Sequence, residues 1–348
     1  MATETVSVRA TAEPPRPYSP SWANVITAWF ERLPGPTWLA YLCAIGIGVL
    51  FSTAFQGGVG DTASTVYYGA LPFAILGLIH LLDRTAGRAI DSIRPLLEMG
   101  DAEVAGIHHE LTVVPARPAA VLAFVAIALT PLGYVLDPVG SAIVGLSPGE
   151  FAARGAWESL VASLFLVLVY HTIRQSRLIG RLHERLGTID VFDQGALYAL
   201  SGITSRTAGG LVLLFAPSLF LIPTGADISY IVISAVWYAL AFITAAAAFF
   251  LPLRGVHDLL LVEKRRLQGE VGRRLTATLA GIHAAVDVGD GQAIEARNRA
   301  LATLIAERDL VNRIPTWPWS TGALTRFVSA VLLPIALWVA TRLLERFV

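Results

Sequence analysis

The sequence predicts an all-α polytopic membrane protein with seven transmembrane helices and a cytoplasmic helical annex. Three observations carry this expectation. A mean hydropathy of +0.62, with 55% hydrophobic and 15% charged residues, leaves too few charges to coat a soluble globule of 348 residues. Seven apolar runs are long enough, or nearly so, to cross about 30 Å of hydrocarbon. The basic residues crowd onto alternate connections between those runs, which is how inner-membrane proteins fix their orientation.

Residues 1–21 are expected to be a disordered tail, because "PPRPYSP" favours extended backbone and lacks an apolar pattern. Ser19 is placed to cap a helix beginning at Pro20. Trp22, Val25, Ile26, Trp29, Phe30 and Leu33 then share one face, so 22–36 is expected as an amphipathic helix in the inner interface, with Trp22 and Trp29 as anchors. The competing reading packs the same stripe on the protein. No cleavable signal peptide is expected in Met1–Pro36, which has no isolated apolar core before a small-residue site.

Six spans occupy residues 37–251: Thr37–Phe55, Ser64–Leu82, Pro118–Leu136, Ala156–Ile173, Thr207–Pro223 and Tyr230–Leu251. The seventh, Phe327–Thr341, lies within 327–348 and lengthens if Arg342 snorkels. Of the 26 Lys and Arg residues, 23 fall before span one, between spans two and three, between four and five, and between six and seven. Only Arg154, Arg342 and Arg346 lie on the other side. The N-terminus is therefore expected in the cytoplasm and the C-terminus outside a bacterial inner membrane. All basic residues but Lys264 are Arg, which reflects a GC-rich bacterial genome rather than a chemical need. With a net charge of zero, no nucleic-acid partner is expected.

The connection 252–326 is expected to be a helical hairpin ending in an elbow. Val256, Leu260, Leu267, Val271, Leu275, Leu279, Ile282 and Val286 recur at helical steps, so span six should leave the membrane as an amphipathic rod. "DVGDGQ" breaks it, and Ile294, Leu301, Leu304, Ile305 and Leu310 mark a return helix. The same "DVGDGQAIE" lacks the alternating ligands of a calcium loop. In "NRIPTWPWSTGALTRF", Pro315 and Pro318 break the incoming helix, Trp317 and Trp319 suit the headgroup layer, and Arg326 marks the boundary. A ligand platform built from those Trp rings is the functional alternative. Span four should likewise extend past Ile173 toward Gly187, with Asp193 capping the helix that leads to span five. Apolar stripes on such an annex call for partners, either within the chain or in a second subunit.

Few residues suggest chemistry. No metal site is expected: "HHE" at His108–Glu110 lacks HExxH spacing and reads as a solvated turn. Cys43 stands alone in an apolar run and reads as a buried small hydrophobe. His80 and His171 end spans two and four at one depth, as a proton-sensitive pair or as histidines reaching toward headgroups. Glu158 is the acidic residue inside a predicted span and hence a functional candidate. No Walker loop, nucleotide fingerprint, GxSxG or acidic ladder stands out, so neither an enzyme nor a cofactor is expected. In the last span Thr325, Ser329, Ala336 and Ala340 share one face, either for close helix packing or to line a pore in an oligomer.

The stretches "LIAERDLVNRIPTWPWSTGALTRF" and "IDVFDQGALYALSGITSRTA" resemble a group of uncharacterised bacterial polytopic membrane proteins, to which no activity is attached. In layout alone the chain is similar to insect odorant and gustatory receptors: seven spans, an inward N-terminus, a helical annex and a short last span. That resemblance implies a homo-oligomeric, ligand-gated cation channel with the last helix at the pore and a small molecule as ligand. The C-terminal Thr-Tyr/Gln-Phe signature of those receptors is replaced here by "IALWVATRLLERF". The reading from sequence is a homo-oligomeric channel or chemoreceptor in the lipid bilayer. The alternative is a signalling or scaffold protein whose annex docks a partner. A secondary transporter is disfavoured by the odd span count and the lack of paired broken helices.

Overall fold

The computed structural model describes residues 17–56, 62–96, 99–136, 145–182, 195–222, 228–317, 319 and 321–344. Among them are α1 (Trp22–Arg32), α2 (Thr37–Gln56), α3 (Thr62–Ile93), α4 (Asp101–Thr112), α5 (Ala116–Leu136), α6 (Pro148–Leu182), α7 (Gly195–Phe215), α8 (Ile228–Val288), α9 (Gly291–Arg313) and α10 (Thr321–Leu344). Two short 3-10 segments accompany them, and no strand occurs among the described residues. Seven helices are long and apolar enough to cross a membrane: α2, α3, α5, α6, α7 with the 3-10 turn that follows it, α8 and α10. The chain divides into two compact units, the boundary in α6 falling after His171.

In the first unit α2 and α3 form a tight antiparallel pair. A Cβ added at Gly48 would stand 2.3 Å from the Gly69 carbonyl oxygen, and one at Gly69 would stand 2.7 Å from Val49 Cα. Two facing glycines thus let backbones approach, the usual device for helices whose surroundings are as apolar as themselves. α6 joins this pair through Trp157, whose Nε1 donates to the Tyr68 carbonyl at 3.1 Å while its ring stacks on Phe51. The outer surfaces of α2 and α5 are bulky and uncovered, with Leu50 and Phe124 each 71% exposed, as lipid-facing helices require. Cys43 is also exposed, not buried, so it faces outward with these residues.

Both termini of α1 depart from the sequence reading. Ser21, not Ser19, caps the helix, its hydroxyl accepting from Asn24 N at 3.3 Å, and α1 starts at Trp22 because Pro20 forms a β-bridge with Pro115. Tyr18 donates to the Val113 carbonyl at 3.0 Å, and its own carbonyl lies 3.2 Å from His109 Nε2. Residues 17–21 are therefore tied down; the rest of the proposed tail, residues 1–16, lies outside the described residues. His109 sits on α4 and serves this contact, while His108 closes on Gly87 of α3, so "HHE" is helical packing rather than a turn.

In the second unit α8 is 61 residues long. At ~1.5 Å per residue it spans about 90 Å, three times a hydrocarbon core, so much of it must leave any membrane it crosses. Gly289, at φ +74°, ends it, and Asp290 caps α9 by accepting from Ala293 N at 3.0 Å. α9 returns along α8 over a core of Val256, Leu260, Val271, Val311 and Ile314, with Leu267 and Leu275 packed against it. Lys264 secures the far end, its ammonium donating to the Asn312 and Ile314 carbonyls at 2.8 and 2.9 Å. α6 ends at Leu182, and the extension through Gly187 with the Asp193 cap lies outside the described residues.

Candidate functional site

One end of the first unit collects more buried polar chemistry than the apolar helices around it would tolerate unpaired. α3 supplies His80, Asp83 and Arg84, which share a face because they are three and four residues apart. α1 lies across that face with Asn24 and Glu31, α2 contributes Tyr41, and α6 contributes His171.

Two imidazole–carboxylate pairs result. His171 Nε2 meets Asp83 Oδ1 at 2.6 Å, with the imidazole fully buried and the carboxylate 12% exposed. The other Asp83 oxygen accepts from Asn24 Nδ2 at 3.1 Å, and Asn24 Oδ1 accepts from Val114 N at 2.8 Å and from the Ser21 hydroxyl at 2.8 Å. His80 Nε2 meets Glu31 Oε1 at 3.0 Å, and its Nδ1 is 2.9 Å from the Tyr41 hydroxyl. Arg84 also donates to Glu31 Oε1, from Nε at 3.1 Å and from a terminal nitrogen at 2.9 Å. The result is a bridge from α1 to α3 and onward to α6, made of hydrogen-bonded groups that orient one another. It holds no set of three His, Cys, Asp or Glu able to bind a metal, and none is found among the described residues.

His80 and His171 are thus not a pair. Each has taken its own carboxylate, Glu31 and Asp83 respectively. Sequence reasoning missed Asn24, Glu31, Tyr41 and Asp83. Asp83 was assigned to a loop because an apolar window ends at Leu82, whereas α3 continues to Ile93. The available signals were the His80–Asp83–Arg84 spacing and the fact that Glu31 is the acidic residue of the 22–36 stretch.

The other candidates are not members of this cluster. Glu158 accepts from Arg154 Nε at 2.8 Å, one turn earlier on α6, so the charge inside the span is matched by its neighbour. Of the anchors on α1, Trp22 is half-buried and Trp29 is 55% exposed. The side of α1 that packs inward is Ala23, Asn24, Thr27 and Phe30, and Val25 and Trp29 face away from the protein. Trp317 and Trp319 stack on each other at 4.3 Å, with His257 on one side of the column and Phe249 on the other. On α10, Thr325, Ser329, Ala336 and Ala340 are all exposed, and the covered side consists of Phe327, Val331, Pro334, Trp338 and Arg342. By the 3.6-residue repeat these two sets lie on opposite sides of the helix. Arg342 donates to the Ile222 carbonyl and lies over the Trp338 ring, so it is anchored inside its unit rather than extended to a surface.

No family description, curated protein or solved structure matches this chain.

Proposed function

We propose that the protein is a homo-oligomeric channel or ligand-gated receptor of a bacterial inner membrane, with α10 of each copy beside a shared axis. In this reading the N-terminus is cytoplasmic, the C-terminus is external, and the α8–α9 hairpin forms a cytoplasmic annex. The chain has no catalytic role and needs no cofactor; its ligand is a small molecule.

One observation carries the proposal: the small-residue face of α10 points away from its own chain. Ser329, Ala336 and Ala340 are exposed, while the opposite face packs on α7 and the turn after it. A helix surrounded only by lipid gains nothing from a stripe of small residues, whereas close approach to a second helix, or a narrow lumen, requires one. Of the seven spans α10 is also the least covered, with 6% of its apolar window buried against 17–50% in the others. The basic residues, 23 on one side against 3 on the other, support the orientation.

A second reading, a non-conducting scaffold that docks a partner, draws on the hairpin, where Val262, Val286 and Leu310 are 64%, 57% and 62% exposed. Conductance of the purified protein in planar bilayers, paired with thermal stability, separates the two. Ala336→Trp reduces current without lowering stability if the face lines a pore. If the protein is a scaffold, neither the native protein nor the variant conducts.

A further inference from the structure

We propose that Asn24, Asp83 and His171 form a proton-binding site that joins the first turn of α1 to α3 only while Asp83 is ionised. The inference is independent of the channel reading, since it rests on hydrogen-bond direction within one unit.

A backbone N–H can only donate, so the Asn24 atom that Val114 N reaches at 2.8 Å is its oxygen. The amide nitrogen must then face Asp83 Oδ2, at 3.1 Å, as a donor that needs an acceptor. Asn24 has no freedom to turn over, because Oδ1 also accepts from the Ser21 hydroxyl and Nδ2 has only the more distant Thr112 carbonyl, at 3.4 Å, as a further partner. On the far side, Asp83 Oδ1 accepts from His171 Nε2, and His171 Nδ1 is buried with no partner among the described residues. The nitrogen facing Asp83 is therefore the Nε2–H donor, and Nδ1 has no group to donate to.

A proton entering this triad has two places to go. On His171 Nδ1 it would create a buried donor with nothing to receive it. On Asp83 Oδ2 it places O–H against the Asn24 N–H, two donors facing each other, and the bond from α1 to α3 is lost. The second course requires only that the first turn of α1, which stays bonded to residues 113–116, draw away from α3 together with them. The proton is taken up at Oδ2 and the Asn24–Asp83 bond is broken, while the bonds from Asn24 to Val114 N and the Ser21 hydroxyl remain.

The groups around the triad sharpen the contrast. α1 brings Glu31, α2 Tyr41, and α3 His80 and Arg84, while the α4–α5 segment presents the Thr112 carbonyl and the Val114 amide. On α6, Tyr170 and Arg174 are the nearest titratable residues in sequence to His171. At the last turn of α1, His80 accepts a proton without losing a contact. Its Nε2–H continues to donate to Glu31, and its Nδ1–H donates to the Tyr41 oxygen in place of accepting from it. Acid therefore parts the first turn of α1 from α3 and keeps the last turn clamped to it.

The test uses the full chain in lipid nanodiscs, with Cys43→Ala and a nitroxide label at Val25→Cys or Arg32→Cys, scanned from about pH 8 down to about pH 4, into the ordinary carboxylate range. The expected result is a label at 25 that becomes mobile in acid while the label at 32 does not change. Asp83→Asn stays neutral and, with its oxygen accepting from His171, turns its NH2 toward the Asn24 NH2, so its label at 25 is mobile at every pH and shows no acid step. Asn24→Asp sets two carboxylates face to face, which bond only when they share a proton, so it reverses the order: mobile near neutrality, immobile in acid. A label at 25 with the same mobility across the window overturns the proposal, as does acid release that persists in Asp83→Asn. If Asp83→Asn does not fold, the sign of the Asn24→Asp response decides alone.

Discussion

His257 and Trp317 lie with ring centroids 4.0 Å apart and planes 12° from parallel. That contact begins a column that continues through Trp319 and Phe249 to Phe327, the last pair being 4.4 Å apart and 5° from parallel. It joins the middle of α8 to the start of α10 through the elbow between α9 and α10. The His257 ring is held in place by the Thr316 carbonyl, 2.8 Å from Nδ1. Offset and parallel aromatic contacts of this kind contribute about 0.5–1.5 kcal/mol each beyond the area they bury. The elbow is therefore a packed joint.

Replacing Trp317 with Ala removes the ring that links His257 to the rest of that column and is expected to destabilise the second unit by about 2–4 kcal/mol. Trp317→Phe, which keeps a ring to stack, loses less than half as much. Thermal unfolding in detergent measures both. Trp29→Ala on α1, which removes an exposed ring, serves as the control and leaves the midpoint within a degree or two.

The hairpin separates two roles for its apolar stripe. Leu275 packs against the core between α8 and α9, and Leu279 is 42% exposed. Leu275→Asp buries an unpaired carboxylate and lowers the thermal midpoint. Leu279→Asp leaves the midpoint unchanged and, where the exposed stripe joins subunits, yields a smaller particle by light scattering in detergent. An unchanged particle mass assigns Leu279 to solvent.

Arg154 and Glu158 form an ion pair inside α6, with Arg154 only 14% exposed. Glu158→Gln removes the carboxylate charge that meets Arg154 Nε and is expected to cost about 1–3 kcal/mol, less than a fully buried pair because Glu158 is half-open. Arg154→Leu combined with Glu158→Leu recovers most of the loss. Equal losses in the single and double variants, read by thermal unfolding, would contradict a pair whose main role is mutual neutralisation.

The orientation is tested by cysteines placed in the Cys43→Ala background. Leu146→Cys, before α6, is expected to react with a membrane-impermeant thiol reagent applied to intact cells. Val288→Cys, 83% exposed at the hairpin tip, reacts only after lysis. The reverse pattern would invert every assignment of side.

Seven spans were legible because each is a run of apolar residues, and the long α8 followed from a stripe that continued past Leu251 at helical steps. Helix ends were less legible. α3 and α6 extend beyond their apolar windows, because a helix flanked by other protein tolerates Asp83 or Arg154 once each finds a partner. The polar cluster was invisible for the same reason. Its members come from four helices, and nothing in a linear pattern shows that Asn24 and His171 flank the same carboxylate. The inward face of α1 was not legible either, since hydropathy marks Val25 and Trp29, which face away from the protein, whereas hydrogen bonding turns Asn24 and Thr27 inward.

The small face of α10 gives the most direct test of the central claim. In the Cys43→Ala background, Ala336→Cys places a thiol on that face, and Leu337→Cys places one about 100° around the helix on a side that is also exposed. Mild oxidation in native membranes, followed by non-reducing electrophoresis, reads contact between copies. A shared axis predicts efficient dimer formation through position 336 and little through 337. Monomer at both positions, or equal cross-linking at both, would contradict an assembly built around α10.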